Sequence, residues 1–270
     1  MGKSGRWADD GRAFSGQHAG MRKTARSRRG RVAIAATLLA SVAAPAGCGS
    51  AGQNHAGVAQ TLQGKYVSVV KDVSPSVVLI ETPQALGSGI VYDTHGNVVT
   101  NAHVVAGATR FSVTLFNGKQ VAATLVGTDP SNDLAVVHMT GATPPPATFS
   151  DSSKLSVGDI TLAIGNPLGL HASVTEGIVS SLDRSVSEGN GVTLTSAIQT
   201  SAAINPGNSG GALVDLSGHV IGIPTLAALD PELGNAQASG IGFAISSNQV
   251  KTVAAGILAA ASSSSPAFAQ

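Results

Sequence analysis

Between residues 76 and 246 the chain alternates short apolar runs with residues that favour turns. The runs are rich in Val, Ile, Leu and Thr, and they are separated by Gly, Asn, Asp and Pro. This pattern predicts many short β-strands joined by tight turns, which is typical of a β-sandwich or a β-barrel. Strands are expected at 76–81, 89–93, 97–101, 111–115, 120–129, 134–139, 161–164, 174–182, 211–214 and 219–224, with hairpin turns at 94–97, 117–118 and 217–218.

Three segments of this region contain residue types that together can cleave an acyl bond. They contribute His103, Asp133 and Ser209, and glycines flank the serine. A serine hydroxyl is a weak nucleophile at neutral pH, so it needs a base within hydrogen-bond reach and a carboxylate that orients this base. The order His, Asp, Ser along the chain matches that of trypsin-like enzymes and differs from that of subtilisin and the α/β-hydrolases.

The same segments resemble the HtrA/Deg family of trypsin-like serine proteases. The matching sequences are Thr-Asn-Ala-His-Val-Val at 100–105, Ser-Asn-Asp-Leu-Ala-Val at 131–136 and Ile-Asn-Pro-Gly-Asn-Ser-Gly-Gly at 204–211, with supporting matches at 87–91, 163–169, 177–180 and 240–245. The resemblance runs from about residue 67 to residue 253.

The resemblance implies an all-β fold of two antiparallel six-stranded β-barrels with a cleft between them. The barrels are expected at about 76–141 and 154–246, joined by a crossover at 142–153, within a protease domain at 65–261. The resemblance also implies roles for the three residues: His103 is the general base, Asp133 orients it, and Ser209 is the nucleophile. The backbone N–H groups of Gly207 and Ser209 are expected to form the oxyanion hole.

Each of these residues also has an ordinary structural interpretation. A histidine at the end of a strand can be a buried structural residue, and a Gly- and Asn-rich segment can be a simple turn. Asp129 competes with Asp133, but it precedes Pro130 and is expected to start a turn. The other histidines lack the triad-type surrounding sequence, and no spacing of His and carboxylate residues predicts a metal site. Neither a metal nor a cofactor is expected.

The predicted substrate pocket contains no carboxylate. Its residues are Ala203, Ile204, Thr225 and Ile241, and Ile241 is expected to narrow the pocket because it lies between two glycines. Burying a Lys or Arg head group without a counter-charge is strongly unfavourable. Cleavage after small or medium aliphatic residues is therefore expected.

Three features depart from the family pattern. Ser201 stands where an Asp is common, and Pro224 stands where an Asn is usual and removes a backbone donor. Many family members continue into PDZ domains, and the sequence after residue 261 has no stretch that could build one. None of these departures removes a member of the predicted triad.

The first 48 residues differ from the rest of the chain in charge and are expected to be a leader. They carry nine Lys or Arg residues and two acidic residues, with a basic stretch at 22–31 and an apolar run at 32–46. This arrangement is typical of a signal peptide. The apolar run is shorter than the roughly 20 residues that a membrane-spanning helix needs, so a transmembrane anchor is the less favoured alternative. Met21 is an alternative start, and the Ser-Arg-Arg sequence at 27–29 makes twin-arginine export the alternative to Sec export.

Cys48 is the only cysteine and follows Ala46 and Gly47, the small residues that precede the lipid-modified cysteine of bacterial lipoproteins. Pro45 stands where such signals usually have an aliphatic residue. Lipidation of Cys48 is predicted, and an unmodified cysteine in the leader is the alternative. A lipid anchor would also account for an exported chain without a disulfide partner.

The remaining residues are acidic, with seven Lys or Arg residues against thirteen Asp or Glu residues. This charge excludes an electrostatic footprint for nucleic acid. A flexible tether is expected at 49–64, a weak helical pattern at 58–73, a final helix at 248–261 and a disordered tail at 262–270.

The chemistry and the resemblance together predict an exported serine endopeptidase of the bacterial cell envelope that acts on unfolded or damaged polypeptides. It would be lipid-anchored, with free secretion as the alternative. The alternative function is a catalytically silent chaperone or binding protein on the same fold. The resemblance also implies a homotrimer formed through the N-terminal segment, with a monomer as the alternative.

Overall fold

The computed structural model describes residues 51–264, apart from 84, 142–143, 167–172, 190–191, 206 and 231–235. The leader, Cys48 and the last six residues of the predicted tail therefore lie outside the described residues. Within this part of the chain the strands form two closed barrels of six antiparallel strands each, which confirms the predicted fold class.

The first barrel has the strand order β1-β2-β3-β6-β5-β4 and closes by pairing β4 with β1. Its strands are β1 (Val77–Glu81), β2 (Leu86–Val91), β3 (Asn97–Thr100), β4 (Arg110–Thr114), β5 (Gln120–Asp129) and β6 (Leu134–Met139). A single-turn helix α2 (Ala102–Val105) follows β3, and a 3-10 turn (Pro130–Asn132) precedes β6.

The second barrel has the strand order β10-β11-β12-β9-β8-β7 and closes by pairing β7 with β10. Its strands are β7 (Ile160–Gly165), β8 (Ser173–Gly189), β9 (Val192–Thr200), β10 (Ala212–Val214), β11 (Val220–Asp230) and β12 (Ala236–Ser246). The long strands β8 and β11 extend well beyond the short runs predicted for them.

The predicted hairpin turns form for a shared chemical reason. Asp93 Oδ1 accepts from the backbone N–H groups of His95 and Asn97, and Asp215 Oδ1 accepts from those of Ser217 and His219. A carboxylate that caps its own turn in this way replaces the missing backbone partners.

The crossover between the barrels bonds to both of them. Ala147 N donates to Val91 O of the first barrel at 2.9 Å, and Ser150 N donates to Val220 O of the second barrel at 2.9 Å. Val220 N in turn donates to Thr148 O at 2.8 Å. The proline-rich connection therefore ends in a segment that is bonded to the end of β2 in one barrel and to the start of β11 in the other.

Two helices pack outside the barrels. Helix α1 (Ala51–Val73) covers most of the segment for which a flexible tether is predicted, so the chain is helical there. Packing of its last turns against the barrels stabilises this helix. Val69 and Val73 are buried there, with only 3% and 5% of their surface exposed. Helix α3 (Ser247–Ser264) starts at the predicted cap and runs three residues past the predicted end. None of the helices among the described residues is both long and apolar enough to cross a bilayer.

One hydrophobic cluster joins both barrels and both packed helices. It contains Ile90 and Val136 of the first barrel, Ile164 and Ile223 of the second, and Val250 of α3. Each barrel also has its own smaller cluster. The interface between the barrels is therefore built like a protein core, and it fixes the position of side chains that face each other across the cleft.

Candidate active site

His103 and Asp133 form a close hydrogen-bonded pair on the first barrel. His103 lies in α2, and its Nδ1 lies 2.8 Å from Asp133 Oδ2 and 3.0 Å from Asp133 Oδ1. The backbone N–H of His103 also donates to Asp133 Oδ1 at 3.0 Å. The Asp133 side chain is 5% exposed, whereas that of His103 is 51% exposed. The carboxylate is therefore shielded, while the imidazole is open to the solvent.

The backbone at Asp133 adopts a conformation that is uncommon for a residue with a side chain. Its φ of 48° and ψ of 41° place it in the left-handed region, at the end of the 3-10 turn. Two contacts hold it there: Asn101 Nδ2 donates to Asp133 O at 3.0 Å, and Ala102 N donates to the same oxygen at 3.1 Å. Such strain persists only where the surroundings enforce it, and it is concentrated at functional sites.

Asp129 is part of the turn rather than a rival for Asp133. Its carboxylate accepts from Asn132 Nδ2 at 2.7 Å and from Asn132 N at 3.2 Å. Burial alone would raise the pKa of Asp129, but hydrogen bonds from Ser131 and Asn132 outweigh it and hold the pKa below its usual value. Asp129 therefore shapes the turn that ends at Asp133, as the sequence predicts.

Thr225 on β11 contacts both Asp133 and Ser209. Its Oγ1 donates to Asp133 Oδ2 at 2.6 Å, and its backbone carbonyl accepts from Ser209 Oγ at 3.0 Å. Thr225 is predicted as a pocket residue, and its hydroxyl contact with the carboxylate gives it a second role that the sequence did not indicate. Thr225 therefore contacts two of the three predicted triad residues, and the third, His103, is bonded to Asp133.

The loop that carries Ser209 depends on two glycines with positive φ, which are 99° at Gly207 and 80° at Gly210. A Cβ on Gly210 would collide with Ser88 O and Thr100 Oγ1. Among the described residues, the backbone N–H groups of Gly207 and Ser209 have no hydrogen-bond acceptor, whereas those of Asn208, Gly210 and Gly211 do. Two unpaired N–H groups in one loop can bind an oxyanion.

The predicted pocket residues Ala203 and Ile204 belong to a segment that is held against β8. Thr175 Oγ1 donates to Ala203 O at 2.7 Å, and Ser201 Oγ accepts from Ile178 N at 3.0 Å. Ser201 therefore keeps an acceptor function at the position where the family often has Asp. Ile204 is 4% exposed, and a Cβ on Gly242 would collide with its side chain. Ile241 is 37% exposed beside this segment.

Pro224 lies at an irregular point of its strand, which explains why a residue without an N–H is tolerated there. The pairing of β11 with β12 shifts register between Pro224 and Leu226. The Pro224 carbonyl accepts from Gly210 N at 3.0 Å. This departure from the family pattern therefore still supports the serine loop.

Ser88, which the sequence does not single out as a site residue, contacts the serine loop. Ser88 is fully buried, and its Oγ donates to Gly207 O at 2.5 Å. Ser88 belongs to the Gly-Ser-Gly segment that supports the family resemblance, and this match is the only sequence feature that could have indicated a role for it. The described residues contain no group of three or more His, Cys, Asp or Glu side chains that could hold a metal ion.

Comparison with known proteins agrees with this geometry. Residues 87–223 match the family described as the trypsin-like peptidase domain. A probable periplasmic serine protease do/HhoA-like of Haemophilus influenzae is 49% identical over 179 residues, which cover 65% of this chain and 37% of that protein. The periplasmic serine endoprotease DegP of Escherichia coli K12 is 51% identical over 171 residues, which cover 63% of this chain and 35% of DegP.

Solved structures give the same result. An HtrA-type protease AlgW with a tripeptide superposes with a TM-score of 0.65 at 40% sequence identity, covering 72% of this chain and 63% of that one. The chain spans less than half of the length of the two curated relatives described above. The similarity therefore concerns the two-barrel region that carries the site.

Proposed function

From the membership of the chain in the trypsin-like peptidase family, and in its HtrA branch, we propose that it is a serine endopeptidase that cleaves unfolded or damaged polypeptides. The observation that carries the proposal is the junction at Thr225, which binds the carboxylate of Asp133 with its side chain and the hydroxyl of Ser209 with its backbone. No cofactor takes part in the proposed chemistry.

In the proposed mechanism Asp133 fixes the tautomer of His103. An imidazole that donates from Nδ1 to a carboxylate presents the lone pair of Nε2 to the cleft, where it can accept a proton. The hydroxyl of Ser209 turns from Thr225 O towards this nitrogen when substrate binds, as catalytic hydrogen bonds often tighten only in the complex. Ser209 Oγ then attacks the peptide carbonyl, and His103 passes the proton to the leaving amine.

The oxyanion of the tetrahedral intermediate is proposed to accept from the N–H groups of Gly207 and Ser209. Both groups are free of other acceptors among the described residues, so they can bind the substrate oxygen without first breaking a bond. Donors that are already oriented lower the barrier because they need no reorganisation during the reaction. Water then hydrolyses the acyl-enzyme by the reverse proton path.

Replacing the nucleophile tests the proposal. Ser209→Ala should abolish cleavage of a casein-type substrate and labelling by a fluorophosphonate probe, and it should leave the thermal unfolding midpoint nearly unchanged. His103→Ala should be comparably severe, because triad members act as a unit. A Ser209→Ala variant with full peptidase activity would contradict the assignment. A wild-type chain that resists the probe but suppresses aggregation of unfolded proteins would favour the alternative chaperone function.

The proposed specificity follows from the acid-free pocket segment. Ala203, Ile204 and Ile241 offer apolar surface, and Thr225 is occupied by Asp133 and Ser209. We expect a broad preference for Val, Ala and Ile before the scissile bond, since one methylene contributes only about 1–3 kcal/mol to discrimination. Cleavage-site profiling on a denatured protein mixture checks this. Sites dominated by Lys, Arg or Glu would show that other residues form the pocket.

We propose an extracytoplasmic location with a lipid anchor at Cys48. The names of the periplasmic relatives support the location, and the basic and apolar segments before Cys48 support export. Mass spectrometry of the native protein should find an acylated N-terminal Cys48, and an intact apolar segment in the mature protein would exclude the anchor.

A homotrimer is proposed from the family resemblance alone. Sedimentation equilibrium should then give three times the mass of one chain.

A further inference from the structure

Ser88 uses every hydrogen-bonding group it has in contacts around the serine loop. Its side chain donates to Gly207 O at 2.5 Å and accepts from Asn166 N at 2.8 Å. Its backbone N–H donates to Ser209 O at 2.9 Å. Its carbonyl accepts from Thr100 Oγ1 at 2.6 Å. Because Asn166 N can only donate, the single proton of the Ser88 hydroxyl is directed at Gly207 O.

The serine loop needs such external support because its glycines do not fix their own peptide groups. Gly207 and Gly210 have φ values of 99° and 80°, and glycine has no Cβ to exclude other conformations. The peptide group that provides the Ser209 N–H lies between Asn208 and Ser209. Its direction depends on the two peptide groups on either side of it.

Ser88 holds both of these neighbouring peptide groups. Its side chain binds the Gly207 carbonyl on one side, and its backbone binds the Ser209 carbonyl on the other. We propose that Ser88 is a positioning residue that holds the Asn208–Ser209 peptide group in the orientation needed to bind an oxyanion. The inference rests on the proposed function, because it assigns a purpose to the Ser209 N–H.

The strand that carries Ser88 is rigid enough for this task. A Cβ on Gly87 would lie 2.7 Å from Val104, and a Cβ on Gly89 would lie 2.6 Å from Val98. The backbone of β2 is therefore packed tightly against α2 and β3, and Ser88 itself is 0% exposed. A fixed strand of the first barrel thus supports a loop of the second barrel, over a separation of 119 residues.

Ser88→Ala removes the hydroxyl without adding volume, and it should lower kcat by about tenfold to a hundredfold with KM changed less than twofold. This expected decrease in kcat is smaller than the decrease of about 100-fold to 1000-fold that follows complete loss of one oxyanion donor, because the Ser209 N–H is still present in the variant. The inhibition constant of a peptide boronic acid, whose adduct also places an oxygen in the hole, should rise by the same factor. Ser88→Thr, which keeps the hydroxyl, should recover most of the kcat.

Thr161→Val is the matched control, because it also removes a fully buried hydroxyl. Thr161 Oγ1 lies 3.0 Å from Thr200 Oγ1 inside the second barrel and does not contact the serine loop. Its kcat should stay within twofold of the wild-type value. If Ser88→Ala does not fold, Ser88→Cys replaces it in the same measurements, and the same decrease in kcat is expected because a thiol is only a weak donor.

Amide hydrogen exchange tests the inference without relying on activity. In Ser88→Ala the amides of Asn208, Gly210 and Gly211 should exchange at least ten times faster than in the wild type, and in Thr161→Val they should not. Unchanged exchange, or a folded and active Ser88 variant with wild-type kcat, would overturn the role of Ser88. An inactive wild-type chain with accelerated exchange in Ser88→Ala would refute the proposed peptidase function and leave the role of Ser88 in the loop intact.

Discussion

Thr225 shows how much of the site depends on one residue of the opposite barrel. Its side-chain bond to Asp133 supplies a donor to a carboxylate that is only 5% exposed. A shielded carboxylate that lacks a donor is costly, and hydrogen bonds to charged groups contribute about 1.5–3 kcal/mol. Thr225 Oγ1 and His103 Nδ1 both contact Asp133 Oδ2, at 2.6 and 2.8 Å, so the two residues together hold this carboxylate oxygen.

Thr225→Val keeps the shape of the side chain but removes its hydroxyl. We expect kcat/KM to fall by about tenfold to a hundredfold, because Asp133 loses a donor worth about 1.5–3 kcal/mol and then holds the imidazole less well. Thr225→Ser keeps the hydroxyl and should stay within about threefold of the wild type. Steady-state kinetics on one peptide substrate measure both variants, and equal activity of the Val and Ser variants would contradict the argument.

The sequence indicated His103, Asp133 and Ser209 because each lies in a local motif whose chemistry can be recognised from its neighbours. It did not indicate the contacts that organise them. The hydrogen bond between Ser88 and Gly207 joins residues 119 positions apart in the sequence, and that between Thr225 and Asp133 joins residues 92 positions apart. Contacts of this kind arise only when the two barrels close on each other, so no short stretch of sequence encodes them.

At the level of the elements, the sequence predicts strands well where turn residues mark both of their ends. The bounds of β5 and β6 agree with the predicted ones, because polar turn residues end these runs abruptly. The distal part of β8 is rich in Ser and polar residues, and its pairing with β9 shifts register repeatedly. Most side chains at 181–187 are exposed or half-buried, so the sequence shows no apolar alternation there and does not predict the extension of β8 beyond residue 182.

Helix α1 provides the clearest difference from the predicted tether. Val69 is 3% exposed within the shared core, whereas Val67, two residues earlier, is 62% exposed. The docked turns of the helix therefore have one buried side and lie within the helical pattern predicted at 58–73. The difference concerns the first turns, where small and polar residues at 49–64 predict a tether. Helical structure there follows from packing at the end of the helix more than from propensity.

The two valines form a matched pair for a stability test. Val69→Ala should lower the free energy of unfolding by about 2 kcal/mol, because two buried methyl groups are lost and a cavity is left. Val67→Ala should change it by less than about 0.5 kcal/mol, as is usual for an exposed position. Urea denaturation measures both values. Equal effects of the two substitutions would mean that α1 does not dock in solution.

For the whole molecule, the shared core makes the two barrels depend on each other. Residues of both barrels, α1 and α3 belong to one hydrophobic cluster, and the crossover is bonded to both sheets. The two-barrel architecture itself was predicted only through the family resemblance, since alternating apolar runs were equally consistent with a sandwich. The alternation of apolar runs and turn residues does not predict that buried side chains of the two barrels pack into one shared core.

This sharing predicts a single cooperative unfolding transition for residues 49–270. Val136→Ala in the first barrel and Val214→Ala in the second should each lower the midpoint of that same transition by about 4–8 °C, from a loss of about 2 kcal/mol. The exposed Val157 is the control position, and Val157→Ala should leave the midpoint unchanged. Differential scanning calorimetry checks this, and two transitions that respond separately to the two substitutions would contradict it.

The closure of both barrels bears on the proposed action on unfolded chains. Such chains carry segments that add readily to any free sheet edge, and an edge strand is a template for aggregation. Because β4 pairs with β1 and β7 pairs with β10, both sheets in the described part of the chain are closed. For the proposed function this closure has a direct consequence: the described strands offer an unfolded substrate no open sheet edge on which an aggregate could start.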